Sequence, residues 1–214
     1  MKKYVILVLL IFVTVQLLAY DVQAKGVKGG VNFSTVSGDY DENMESKAGL
    51  ILGGFMTYEI NDQFSFQPEI YFTMKGAKNE WEYSYGDEYE KSEETLKLNY
   101  LEIPLLGVMN IPVEASFAPK VFFGPALGIN LSATSESEFE YSYYDGYEYV
   151  TESGSSDGDL EDVNTIEFGL ILGGAVEFDK IVIDLRYNMG LTDIGDWDNS
   201  LKNKVFSILL GYKF

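Results

Sequence analysis

Cysteine and histidine are both absent from the 214 residues of this chain, and their absence excludes several functions at once. Without cysteine there is no disulfide and no lipid-modified cysteine to anchor the chain. Without histidine there is no Ser-His-Asp or Cys-His catalytic arrangement, and zinc loses both of its preferred ligand types. A carboxylate pair remains as a catalytic arrangement, but among 34 acidic residues some pairs lie close by chance. We therefore predict that the protein is not an enzyme and holds no metal or cofactor.

Basic residues are also scarce. There are 15 lysines and arginines against 34 acidic residues, which gives a net charge of −19 and excludes nucleic acid as a partner, because phosphates would be repelled. The acidic residues cluster in two segments of the chain, from Glu80 to Glu94 and from Glu136 to Asp162. Asp157 to Asp162 offers oxygen ligands for Ca²⁺ but lacks the spacing of a twelve-residue calcium loop, so we interpret it as a solvated acidic stretch.

Long apolar runs are missing everywhere except at the start. Lys2 and Lys3 precede an apolar run from Tyr4 to Ala19, and Val22-Gln23-Ala24 follows with short residues at positions suited to cleavage. This layout predicts a cleaved signal peptide over 1–24 and an exported domain over 25–214; an uncleaved membrane anchor is the alternative. No later run approaches the roughly 18 apolar residues of a spanning helix, so a membrane location would require a closed barrel.

Period-two alternation recurs through the rest of the chain and predicts strands. We expect eight, over 25–34, 48–60, 64–77, 97–111, 117–131, 165–178, 180–191 and 203–214. The connections after the second, fourth and sixth strands are short and the others are long, which is the asymmetry of outer-membrane barrels with short periplasmic turns. The pattern predicts an all-β protein, an eight-stranded antiparallel up-and-down transmembrane β-barrel.

The two faces of these strands differ in a way that indicates an inverted barrel. One face carries large apolar residues, and the other carries glycines and charged residues. Glycines beside a crowded lumen leave room for long charged side chains, so we expect the polar face inside and the apolar face against lipid. The alternative is a soluble secreted barrel that holds an apolar ligand. The candidate lumen charge network consists of Glu69, Glu102, Lys120, Asp184 and Arg186.

Eight strands enclose a lumen that side chains just fill. We therefore interpret the charge network as a salt-bridge plug, with an ion path or gate as the alternative and a passive pore as a further one. Unpaired charges in so narrow a space would be costly, so Arg186 and Lys120 should neutralise nearby carboxylates.

Aromatic residues alternate with acids in the two acidic segments, as in Glu138-Phe139-Glu140-Tyr141. This alternation predicts hairpins that extend beyond the membrane. Exposed tyrosine is a good contact residue for proteins and sugars, so we consider a surface-recognition role toward an extracellular protein or glycan; aromatic pairing across the hairpins is the alternative. The candidate recognition residues are Trp81, Tyr83, Tyr85, Tyr141, Tyr143, Tyr144 and Tyr147.

Four segments resemble the PorT-like family of outer-membrane β-barrel proteins, a group of small "porin family" barrels. They are Lys25-Gly26-Val27-Lys28-Gly29-Gly30-Val31-Asn32-Phe33-Ser34, Phe66-Gln67-Pro68-Glu69-Ile70-Tyr71, Tyr100-Leu101-Glu102-Ile103-Pro104-Leu105 and Phe123-Gly124-Pro125-Ala126-Leu127-Gly128. The resemblance spans the exported part and implies an eight-stranded barrel in outer-membrane lipid. Because the founding type is linked to protein secretion, it also implies secretion-system proteins as candidate partners, although the acidic, Tyr-rich connections lie outside the shared pattern.

Overall fold

The structure is a computed structural model that describes residues 22–38, 44–144, 146–197 and 200–214. Within these residues the chain forms nine β-strands. They are β1 (Val22–Gly38), β2 (Met44–Glu59), β3 (Phe64–Tyr85), β4 (Glu88–Asn110), β5 (Ala118–Tyr144), β6 (Tyr149–Asp159), β7 (Ile166–Phe178), β8 (Ile181–Gly190) and β9 (Leu201–Lys213). Among the described residues no helix is long and apolar enough to cross a membrane.

Eight of the strands close into a ring. Antiparallel pairing runs in the order β4-β3-β2-β1-β9-β8-β7-β5, and β5 pairs with β4 to complete the circle. The predicted eight-stranded up-and-down barrel is confirmed, and closure leaves none of the eight with an unpaired edge in the wall of the barrel. The ninth strand, β6, lies within the long connection that follows the fifth predicted strand and pairs with the outer part of β5 alone.

The two rims of the barrel differ in their connections. Residues 60–63, 111–117 and 179–180 make short turns at one rim, and Asp179 adopts a positive φ of 52° in the tightest of them. By the rule for outer-membrane barrels this rim is periplasmic and the opposite rim is extracellular. Of the predicted signal peptide, residues 1–21 lie outside the described part of the chain, and β1 begins at Val22.

The barrel is apolar outside and polar inside. Leu172, Leu210 and Leu52 expose 61–65% of their surface, whereas Asp184 and Arg186 expose no more than 2%. A soluble barrel would show the reverse, so the expected inverted polarity is confirmed. Glycines make this packing possible: a Cβ at Gly211 would come within 2.8 Å of the Lys28 Cγ, and one at Gly173 within 2.4 Å of the Phe122 ring.

Three strands of the barrel continue past its extracellular rim. The outer parts of β3, β4 and β5, together with β6, form an open four-stranded antiparallel sheet over residues 78–85, 88–97, 134–144 and 149–159, which we call the outer sheet. Gly86, with a φ of 62°, permits the two-residue turn that joins β3 to β4. Most of the acidic residues of the two predicted acidic segments therefore lie on strands.

A charge placed on the apolar exterior tests the inverted polarity. We expect Leu172→Arg, at the middle of β7, to lower the free energy of unfolding by about 2–4 kcal/mol, because an arginine there faces hydrocarbon. Guanidinium unfolding in lipid bilayers, followed by circular dichroism, measures the change. Ser155→Arg, an exposed position of the outer sheet, is the matched control and should change stability little. Equal stability of the two variants would contradict a lipid-facing Leu172.

Candidate functional site

A four-residue ion cluster occupies the middle of the lumen. Arg186 on β8 donates to Glu69 on the opposite strand β3 at 2.6 and 3.3 Å, and to its own neighbour Asp184 at 2.9 and 2.5 Å. Lys28 on β1 donates to both carboxylates, at 2.9 Å to Glu69 and 2.7 Å to Asp184. We call Lys28, Glu69, Asp184 and Arg186 the central cluster. Its two cations balance its two anions, so it spans the lumen as a neutral plug.

Aromatic rings fill the space around the central cluster. The Arg186 guanidinium lies 5.3 Å from the Tyr71 ring centroid and 5.2 Å from that of Phe122, and the Lys28 ammonium lies 4.8 Å from that of Phe55. These cation–π contacts stabilise the charges of Arg186 and Lys28, which are buried away from water. The lumen is thus packed at this level, as expected for eight strands.

A second cluster lies closer to the extracellular rim. Lys75 on β3 contacts Glu102 at 2.6 Å and Glu167 at 3.4 Å. Asn188 donates to Glu102 at 2.8 Å, and Asn203 donates to Glu167 at 2.7 Å. One lysine and two asparagines therefore hold two buried carboxylates.

A third cluster lies at the periplasmic rim, where Glu177 accepts from Lys120 at 2.8 Å and from Lys213 at 2.5 Å. Its side chains are 12–21% exposed, which places them in contact with solvent at the end of the barrel.

The structure divides the five predicted lumen residues among these clusters. Glu69, Asp184 and Arg186 meet in the central cluster, whereas Glu102 and Lys120 belong to the second and third. In the pairing of β3 with β4, Glu102 lies opposite Tyr71 and not opposite Glu69. Glu69 is two residues before Tyr71 on β3, so the two carboxylates sit at different levels of the lumen. The sequence reasoning missed Lys28 and Lys75, although each sits on the small, polar face of its strand.

An apolar cluster closes the lumen on the extracellular side. Ile194, from the connection between β8 and β9, is 1% exposed and packs with Val36, Leu98, Tyr100 and Ala133. Backbone hydrogen bonds tie this connection to the one before β7: the amide of residue 164 donates to the Ile194 carbonyl at 2.8 Å. The barrel is therefore shut by side chains below the outer sheet.

The two faces of the outer sheet carry different residues. Ala77, Leu98 and Ala133 point into the lumen at the extracellular end of the barrel. Further along the same strands, the residues on this same side form the inner face of the outer sheet, and six of them are aromatic. We call Trp81, Tyr83, Tyr85, Phe139, Tyr141 and Tyr143 the inner aromatic face. Trp81 and Tyr83 stack with centroids 6.0 Å apart, and Tyr141 and Tyr143 with centroids 5.4 Å apart.

The opposite face of the outer sheet carries the lysines. Lys78 pairs with Glu93, Lys97 pairs with Glu136, and Lys91 contacts Glu80 and Glu82. The hydrogen bond to Glu80 raises the pKa of the Lys91 ammonium. The three lysines thus pair with four acids of this face, and Glu138, Glu140, Asp157 and Asp159 on the same face leave it acidic as well.

The inner face, by contrast, carries acids without cations. The register places Glu88, Glu90, Glu94 and Glu152 among the aromatic rings, and none of the four makes an ion pair with a residue that the structure describes. Desolvation and the charges of Glu88, Glu90 and Glu152 raise the pKa of the Tyr141 hydroxyl. The inner aromatic face is thus a negatively charged surface.

Five of the seven candidate recognition residues lie on the inner aromatic face, and two do not. Tyr144 lies on the other face of the sheet against Tyr149, with centroids 5.3 Å apart. Tyr147 lies in the turn between β5 and β6 and is 93% exposed. Phe139 belongs to the face but was not among the candidates. No group of three acidic, histidine or cysteine residues suited to a metal ion occurs within the described residues.

A family model of the outer membrane protein beta-barrel domain matches residues 24–196. No curated protein matches the sequence. Several solved barrels are similar. Ail, the attachment invasion locus protein of Yersinia pestis, solved with the heparin analogue sucrose octasulfate, is 16% identical, covers 89% of this chain and 98% of its own, and has a TM-score of 0.38. Neisserial surface protein A is 14% identical, covers 89% and 97%, and scores 0.40.

The balance of charge in the central cluster can be tested by substitution. We expect Arg186→Met to lower the free energy of unfolding by about 3–5 kcal/mol, because Lys28 alone would face two buried carboxylates. Adding Asp184→Asn should recover part of the loss, since Lys28 and Glu69 then remain as a neutral pair. Unfolding in detergent micelles gives the values. Lys97→Met, which breaks an exposed pair, is the control and should cost no more than about 1 kcal/mol.

Proposed function

Because the chain belongs to the outer membrane protein beta-barrel domain family, and its barrel spans the bacterial outer membrane, we propose that it is a non-enzymatic surface-recognition protein. In this proposal the barrel is an anchor and the outer sheet binds an extracellular protein or glycan. Residues 1–24 would be the signal peptide that is removed during export.

One observation carries the proposal: six large aromatic side chains share one face of a sheet that projects beyond the membrane. Trp81, Tyr83 and Phe139 each expose about half of their surface, and Tyr85 exposes 73%. Aromatic residues gathered on an exposed face supply large contact area at low cost in conformational entropy, as in other binding surfaces. Pairing across the hairpin does not account for them, because Tyr83 and Tyr85 on β3 face Glu90 and Glu88 on β4.

The recognition role is tested with two matched variants. One replaces Trp81, Tyr83, Tyr141 and Tyr143 with serine on the inner aromatic face; the other replaces Tyr89, Tyr144 and Tyr149 with serine on the opposite face. Full-length protein in lipid nanodiscs is applied to arrays of glycans and purified extracellular proteins. We expect binding signals to fall at least tenfold in the inner-face variant only. Equal loss or equal retention in both folded variants would contradict the proposal.

The packed lumen supports an anchor and argues against a passive pore. The central cluster, the second cluster and the apolar closure around Ile194 follow one another along the axis. We expect purified protein in planar bilayers to show no steady ohmic current, with a sixteen-stranded porin inserted under the same conditions as the positive control. Reproducible single-channel steps from the native protein would favour a pore.

A second candidate function is a component of a protein secretion or assembly apparatus, which the resemblance to PorT-like barrels favours. Such a role would use the periplasmic rim, where the Pro112–Ser116 stretch forms the longest of the three short connections. Site-specific crosslinking from residues 113 and 116 in intact cells would favour this function if it captured defined periplasmic partners.

A further inference from the structure

An apolar cavity of about 220 Å³ opens at the extracellular mouth of the barrel, at the foot of the inner aromatic face. It lies above the apolar closure around Ile194. Most of its wall is aliphatic and is contributed by Val36, Met44, Ala77, Leu96, Leu160 and Leu201, with Trp197 beside them. These residues come from five barrel strands and from the connections after β6 and β8, so the fold assembles the cavity from distant parts of the chain.

The size and lining of the cavity suit a single apolar group. A dry apolar cavity of about 150 Å³ is already large enough to hold benzene. A space of about 220 Å³ therefore accepts one aromatic or branched aliphatic side chain, but not a folded element or a long acyl chain. A ligand that uses it needs an isolated apolar projection.

The rim of the cavity is polar and acidic. Asn79, Glu94 and Ser135 complete the lining, and the Ser135 hydroxyl donates to Glu94 at 3.1 Å. This bond fixes the carboxylate at the opening, where it makes no ion pair with any described residue. A cationic group next to the apolar projection would meet Glu94 on entry.

The cavity and the inner aromatic face form one surface. On β3, Asn79 at the rim is followed on the same face by Trp81 and Tyr83, at steps of about 7 Å. Glu90 pairs with Tyr83, and Glu152 lies two strands further across the same row. An extended chain that placed a side chain in the cavity would lay its next residues over aromatic rings and unneutralised carboxylates.

Building on the proposed function, we propose that this surface binds a cationic polypeptide segment. An apolar side chain of the segment occupies the cavity, and lysines or arginines flank it against Glu94, Glu90 and the rings of Trp81 and Tyr83. Charge complementarity selects this occupant: carboxylates and aromatic faces both attract cations, whereas an anionic glycan would be repelled. A neutral glycan offers no apolar side chain to fill the cavity.

The probe for this proposal is a fluorescein-labelled nine-residue peptide with a central leucine and two lysines on each side, separated by glycines. It is titrated against full-length protein in nanodiscs of neutral lipid at low salt. Replacing the leucine with serine should raise Kd roughly ten- to hundredfold, the value of burying one leucine side chain. Replacing the lysines with glutamates should abolish binding, and added salt should weaken the binding of the original peptide.

Protein variants locate the site. Glu94→Gln should raise Kd for the leucine peptide about two- to fivefold, and Glu138→Gln on the opposite face should leave it unchanged. Ser135→Phe, which fills the cavity, should remove the difference between the leucine and serine peptides. Equal binding of these two peptides to the native protein would overturn the proposal without any variant.

The two proposals fail in different ways. If array ligands depend on the inner aromatic face but the leucine and serine peptides bind alike, the peptide site is wrong and the recognition role stands. If the inner-face variant keeps every array signal and also binds the leucine peptide as the native protein does, both are wrong.

Discussion

A charge inside a barrel too narrow for bulk water must find its counter-charge on another strand, and this constraint organises the whole molecule. Arg186 reaches across the lumen to Glu69 on the opposite wall, while Lys28 joins both carboxylates from a third strand. Each of these contacts joins two strands that are not neighbours in the sheet. The same contacts fill the cross-section of the lumen at this level, and for this reason the proposed recognition role uses the extracellular end of the molecule.

Much of the fold could be predicted from the sequence, because the strands of membrane barrels alternate between lipid-facing and lumen-facing residues. Alternation of large apolar residues with glycine or charge located all eight strands of the ring, and the lengths of the connections indicated which rim is which. The inverted polarity followed from packing, since glycines such as Gly211 and Gly173 are needed where long side chains cross the lumen. Strand ends were harder to predict. The alternation of aromatic residues with acids predicted hairpins beyond the membrane, but not that β3, β4 and β5 would run into them without a break.

The residues of the candidate site could be predicted from the sequence only in part. Glu69, Asp184 and Arg186 could be predicted, but their partner Lys28 lies in a glycine-rich strand that also carries the exposed Lys25 on its other face, so the pattern did not distinguish it. The inner aromatic face could not be predicted from the sequence for a different reason. The pairing of β4 with β5 shifts by one residue near Leu131, so even positions face inward below it and odd positions above it. Simple counting along β5 would have placed Phe139, Tyr141 and Tyr143 on the wrong face.

The outer sheet is built from the barrel strands themselves, and this has a mechanical consequence. β3 and β4 keep one register from Phe64 opposite Met109 to Tyr85 opposite Glu88, without a hinge between membrane and exterior. Tension applied to a ligand on the sheet would run lengthwise along these strands and load their hydrogen bonds in shear, many at once. A ligand of the proposed kind, bound to this sheet, would therefore resist a pulling force better than one bound to a flexible loop, whose contacts separate one at a time.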